Sequence, residues 1–128
     1  MQRSSVLTTS FDEPCFFTSA LLLLRLAVSS ESKGVIIDTV RDKDLYILSD
    51  VGNHSETYKM YGYTNHKSPD DHFQDIKRIL SAVRAQRDRT TVFMPMLYES
   101  RQHRRNKRES LDCALALREL NNLGVKNV

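Results

Sequence analysis

Thiols are scarce: Cys15 and Cys113 are the only two cysteines in the 128-residue sequence. They match no zinc-ligand spacing and make no dense disulfide framework, which points to a reducing, cytoplasmic setting. A long apolar run is also missing. The candidate stretch, Phe16 to Val28, covers thirteen residues and is broken by Arg25, too short to span a bilayer. It makes a poor signal peptide, because Asp12 and Glu13 stand where positive charge belongs. No internal repeat or low-complexity tract is present. Nor does one sign of charge dominate: 19 Lys and Arg face 16 Asp and Glu, a net of +3.

That small excess has one source. Arg101, Arg104, Arg105, Lys107 and Arg108 fall within eight residues that hold no acid. The rest of the chain carries 14 basic against 16 acidic residues, a net of −2. A single basic loop on a nearly neutral body suits a small anionic ligand. A long polyanion usually meets a broad basic face.

The elements around this loop read as alternating strands and helices. Val35–Ile37 is β-branched and predicts a short strand, and Leu45–Leu48 predicts a buried one. Residues 49–67 read as a long loop with at most a helical turn. Ser68-Pro69-Asp70-Asp71 is a helix start, and Phe73, Ile76, Ile79, Leu80 and Val83 line one face of that helix. Arg84, Arg87 and Arg89 place positive charge at its far end. Residues 90–97 predict the next buried strand. Glu109 or Ser110 opens a second helix with a wide apolar face of Leu111, Ala114, Leu115, Leu117, Leu120 and Leu123, stopped by Gly124. Residues 125–128 look like the start of another strand. Strand-helix-strand-helix order implies an α/β fold, a parallel sheet with flanking helices. A chain that stops as a strand begins suggests a piece of a larger α/β protein, or a very short last strand.

In such a sheet, ligands bind beyond the carboxyl ends of the strands. The basic loop leaves there and runs into a helix N-terminus, where free N–H groups favour anions. Arginine forks suit phosphate oxygens. The expectation is a phosphate-binding loop, mobile when empty. Against it stands the ordinary fate of a charge run, a solvated turn.

These residues carry a resemblance to a family. TTVFMPMLYESRQHRRNKRESLDCALALRELNNLGVKNV is similar to the N-terminal domain of ribose-phosphate diphosphokinases, the phosphoribosyl pyrophosphate synthetases. These have a strand, a proline, an aromatic, an Arg-Gln pair and a basic loop before a helix. KGVIIDTVRDKDLYIL resembles the family's strand-turn-strand, and YGYTNHKSPDDHFQDIKRILSAVRAQ the helix of one bacterial branch. The resemblance spans about residues 31–128 and implies an incomplete phosphoribosyltransferase-like N-terminal domain. Residues 1–30 form an atypical segment, and the second domain is absent. It further implies that Arg101 and Gln102 contact ATP, that Arg104, Arg105, Lys107 and Arg108 handle phosphates, and that Arg41 belongs to a regulatory anion site for phosphate or ADP. Glu31 matches the acid of a base-binding loop from a neighbouring subunit, so a homo-oligomer is implied. Mg2+ would accompany ATP, its protein ligands lying outside this chain.

Departures are specific. His103 replaces the acid that usually follows Arg-Gln, and the loop is one residue shorter before Arg108. Val28, Ser29 and Ser30 replace the aromatic and acid or amide expected before Glu31. The metal-linked histidine, catalytic loop and ribose-phosphate loop of the family are not present. The expected function is therefore the nucleotide-binding part of a diphosphokinase, inactive alone. Two alternatives stand beside it: a non-catalytic regulatory or interaction module, and a small nucleic-acid binder, which the −2 remainder disfavours.

Other groups have plainer readings. His66, Asp70, Asp71 and His72 could suggest a metal, but Asp70 and Asp71 already serve the helix start, so none is expected. Tyr58, Tyr61 and Tyr63 suit packing or subunit contact, Cys113 the core, and Met94 and Met96 strand filling.

Overall fold

A computed structural model describes residues 22–26, 32–36, 40–41, 44–83 and 89–128. Along the chain run β1 (Leu22–Leu26), β2 (Ser32–Ile36), β3 (Asp44–Leu48), β4 (Thr57–Met60), β5 (Tyr63–His66), α1 (Pro69–Val83), β6 (Arg89–Phe93) and α2 (Asp112–Asn122). The mixed α/β architecture matches the expectation. Glu31, Ile37, Cys15, Arg84 and Arg87 lie outside the described residues.

β3 and β6 pair in parallel, from Asp44 opposite Arg89 to Leu48 opposite Phe93. After α2 the chain returns beside β6, where Thr91 and Asn127 form a parallel bridge. The Val92 N–H donates to the Asn127 carbonyl at 2.9 Å. This is the strand start expected over residues 125–128.

Leu45, Ile47 and Val92 point from one sheet face into a core shared with Ile76, Leu80 and Leu120. Alternation sends Leu48 and Phe93 to the other face, where they are 51% and 56% exposed. The apolar face of α1 has the predicted spacing, and its start is a reciprocal cap. The Ser68 hydroxyl accepts the Asp71 N–H at 3.1 Å, and Asp71 Oδ2 accepts the Ser68 N–H at 2.8 Å.

Several expectations need correction. Residues 49–67 are not one loop: β4 and β5 form an antiparallel hairpin turned at Tyr61 and Gly62. Both turn residues have positive φ, +52° and +82°, the twist that a two-residue hairpin requires. The strand begun at Arg89 ends at Phe93 rather than Leu97, because Pro95 offers no N–H to the ladder. Arg89 does not serve the end of α1: it lies in β6, 3.3 Å from Asp44. α2 starts at Asp112, with Leu111 before it and no side-chain cap. Its buried face is narrow, comprising Cys113, Ala116 and Leu120, while Leu115 and Leu117 are exposed.

β1 and β2 form a separate antiparallel pair. β2 crosses α1 at Gly34, where an added Cβ would lie 2.7 Å from the Arg78 carbonyl oxygen. Only glycine permits that approach.

Candidate functional site

The parallel pairing of β3 and β6 sends both outgoing segments off one edge of the sheet. The segment after β3 turns at once. The Gly52 N–H donates to Asp50 Oδ1, and the Asn53 N–H to the Asp50 carbonyl. Gly52 then abuts Met96 of the other segment, with room for little more: a Cβ there would sit 3.0 Å from Met96 Cε.

The segment after β6 has two halves. Its first half is tied down. The Ser100 N–H donates to the Leu97 carbonyl and the Gln102 N–H to the Glu99 carbonyl at 2.8 Å, with Glu99 at φ +54°. His103 Nδ1 donates to the Ser100 carbonyl at 2.9 Å. The Gln102 carbonyl accepts the Cys113 N–H of α2 at 3.3 Å. Tyr98 anchors the base: its ring stacks on Phe73 with centroids 4.2 Å apart, and its hydroxyl donates to Asp70 Oδ1 at 2.7 Å. Burial, then the hydrogen bond to Asp70 and that carboxylate's charge, push the Tyr98 hydroxyl well above its usual range. It is therefore a donor throughout the neutral range.

The second half, residues 104–108, is exposed throughout. It is held at the Asn106 N–H, which donates to Glu109 Oε2 at 3.0 Å. Among the described residues, Arg101, Arg104, Arg105, Lys107 and Arg108 are exposed and their side chains have no hydrogen-bond or ion-pair partner. Five mutually repelling cations at a strand edge favour an incoming anion.

Beneath this loop lies a cleft of about 840 Å³ between α1 and α2. Asp70, Glu99, Glu109, Asp112 and Glu119 line it, and its lysine, Lys77, is paired with Glu119 at 2.8 Å. Gln102 lines the cleft too, but five carboxylates against one paired lysine disfavour phosphate inside it. At the α2 N-terminus Asp112 occupies the first turn, and the Cys113 N–H is engaged by the Gln102 carbonyl. The acid lining is hidden in the sequence because its members are scattered from Asp70 to Glu119 and meet only when α1 packs beside α2.

The remaining candidates lie apart. Arg41 is exposed in the turn before β3, at the opposite end of that strand from the basic loop. Glu31, between β1 and β2, falls outside the described residues. His66 Nδ1 donates to the His54 carbonyl and stacks on the His54 ring at 4.4 Å, while His72 Nε2 donates to the Asn53 carbonyl. Cys113 is buried, Met94 packs against the core, and Met96 is half-exposed beyond the strand.

These elements define a mixed α/β protein consistent with a partial phosphoribosyltransferase-like N-terminal domain. A family model for the N-terminal domain of ribose phosphate pyrophosphokinase matches residues 24–124, and the chain belongs to that family. No curated protein matches the chain. The match takes in β1 from Leu24 onward, every later element and the whole basic loop.

Proposed function

We propose that this chain is the nucleotide-binding part of a ribose-phosphate pyrophosphokinase. The enzyme of that family moves a diphosphoryl group from ATP to the anomeric hydroxyl of ribose 5-phosphate. Such chemistry depends on positioning and charge neutralisation, to which cations on the nucleotide side contribute. Arg101 and Gln102 would meet ATP, and Arg104, Arg105, Lys107 and Arg108 its phosphates or a regulatory phosphate. Arg41 would serve a regulatory anion site for phosphate or ADP, and Glu31 the base, both completed by a second copy in a cytoplasmic oligomer. The observation that carries this is a family match running through an exposed basic loop whose cations have no partners among the described residues.

Mg2+ enters as the companion of ATP, shielding its phosphates. Among the described residues no group of three His, Cys, Asp or Glu side chains stands where it could hold a metal ion. The ribose-phosphate side is not supplied by the loop, so the purified chain is expected to form no phosphoribosyl pyrophosphate.

Titration of the purified chain with Mg-ATP tests this. Saturable binding weakened at least tenfold by Arg101→Ala supports it. Steeply salt-dependent binding of a short DNA duplex, with no ATP binding, would replace it with the nucleic-acid alternative. A second alternative, a non-catalytic interaction module, draws on the open sheet face where Leu48 and Phe93 stand side by side. Association with a full-length synthetase and no ATP binding would favour that.

A further inference from the structure

We infer that Tyr98 and Asp70 are positioning residues that set Arg101 and Gln102 at the sheet edge. This rests on the nucleotide-binding function proposed above and deepens it.

The starting point is a contrast in how the segment after β6 is held. From Phe93 the chain loses its ladder, and Pro95 prevents the ladder from continuing. Met94 still packs against the core and Met96 abuts Gly52; the next contact fixed by both a ring stack and a hydrogen bond is Tyr98. Its ring lies nearly parallel to that of Phe73, 5° apart, and Phe73 is buried in the core. Its hydroxyl reaches Asp70 in the first turn of α1. Stacking alone would leave the ring free to slide in its plane, and the 2.7 Å hydrogen bond removes that freedom. Three residues on, Arg101 lies within the turn closed by the Gln102 N–H on the Glu99 carbonyl, which overlaps the turn closed by the Ser100 N–H on the Leu97 carbonyl. The Gln102 carbonyl then meets α2. Arg101 and Gln102 thus sit between two fixed points, Tyr98 on α1 and Cys113 on α2. The cations beyond have neither.

Asp70 has a second property that fits it for this task. Asp71, not Asp70, makes the reciprocal cap with Ser68. Asp70 is exposed and turns its carboxylate to the loop, so its acceptor atom serves Tyr98 rather than the helix end.

The test compares Mg-ATP affinity of the full chain and five variants, Arg101→Ala among them. Tyr98→Phe keeps the stack and removes the donor; it should weaken binding about threefold to tenfold, the worth of one hydrogen bond. Asp70→Ala should do the same. Asp70→Asn, which retains an acceptor oxygen, should restore most of the affinity. The double variant Tyr98→Phe with Asp70→Ala should bind no worse than either single, since both remove one contact. Thermal melting of each variant accompanies the titrations, because a merely structural role would move the midpoint without this pattern of rescue and non-additivity. If Arg101→Ala weakens ATP binding while Tyr98→Phe and Asp70→Ala leave it unchanged, the positioning role is overturned and the nucleotide-binding function stands. Absence of ATP binding by the unmodified chain overturns both.

Discussion

The segment after β3 ties its last charge, Lys67, into the body. Lys67, at the end of the hairpin, reaches Glu56 Oε2 at 2.9 Å and Asp75 Oδ2 at 2.8 Å, and Arg78 reaches the other oxygen of Asp75 at 2.8 Å. Asp75 is buried in the middle of α1, so the hairpin is keyed to that helix by one carboxylate. The segment after β6 leaves the same edge and does the opposite. Past Gln102 its cations touch nothing among the described residues. The two segments differ in charge, with two bases and two acids over residues 49–67 and five bases and two acids over residues 94–111. They differ also in pairing: Lys67 is already held between Glu56 and Asp75, whereas the five cations of the second segment are exposed with no partner among the described residues.

The comparison breaks most visibly at Asp75. Asp75→Ala leaves Lys67 and Arg78 without their shared acceptor, with the Lys67 side chain 11% exposed. The expected loss is about 3 kcal/mol, read by urea denaturation. Lys67 adds a pH signature. Burial alone would push its ammonium down, but the hydrogen bonds to Asp75 and Glu56 and their charges together outweigh that and raise it above 10.5. A raised lysine favours the folded state fully below the unfolded value and loses that contribution as pH climbs through the folded one. The stability difference between the wild type and Lys67→Met should therefore be flat at neutral pH and shrink above pH 10.5.

The tied side is only partly legible in the sequence. The α1 face, the Ser68 cap and the two parallel strands can be read from local spacing, because periodicity and capping act over a few residues. The hairpin escapes such a reading because its turn is Tyr61-Gly62, not the Asn-Gly or Asp-Gly pair that marks such turns. The Lys67–Asp75 pair escapes it because no rule of spacing joins a strand end to a helix interior. For the basic loop the reverse holds. Its composition is plain in the sequence, and topology places it at the strand edge. The acidic cleft below it depends on two helices packing together, which the order of residues does not announce.

A smaller effect sharpens the contrast at the hairpin tip. Tyr61 is 90% exposed and left-handed at φ +52°, so its ring gains little from the body to offset the backbone cost. Tyr61→Asn should stabilise the chain by about 0.5–1 kcal/mol, seen as a higher melting temperature. If the melting temperature falls instead, the tyrosine ring makes a contact that its exposure conceals.

The smallest expected change in stability belongs to the loop itself. Replacing Arg104, Arg105, Lys107 and Arg108 together by serine removes no hydrogen bond or ion pair among the described residues. Stability should move by less than about 0.5 kcal/mol, since exposed substitutions away from packed features seldom do more. The sign is informative. Four like charges close together repel, so their removal should leave the chain unchanged or slightly more stable, the gain fading as salt screens the charges. A loss of about 2 kcal/mol or more would show that the cations are held by the fold after all. That would erase the difference between the two segments and with it the ground for assigning the loop to a ligand.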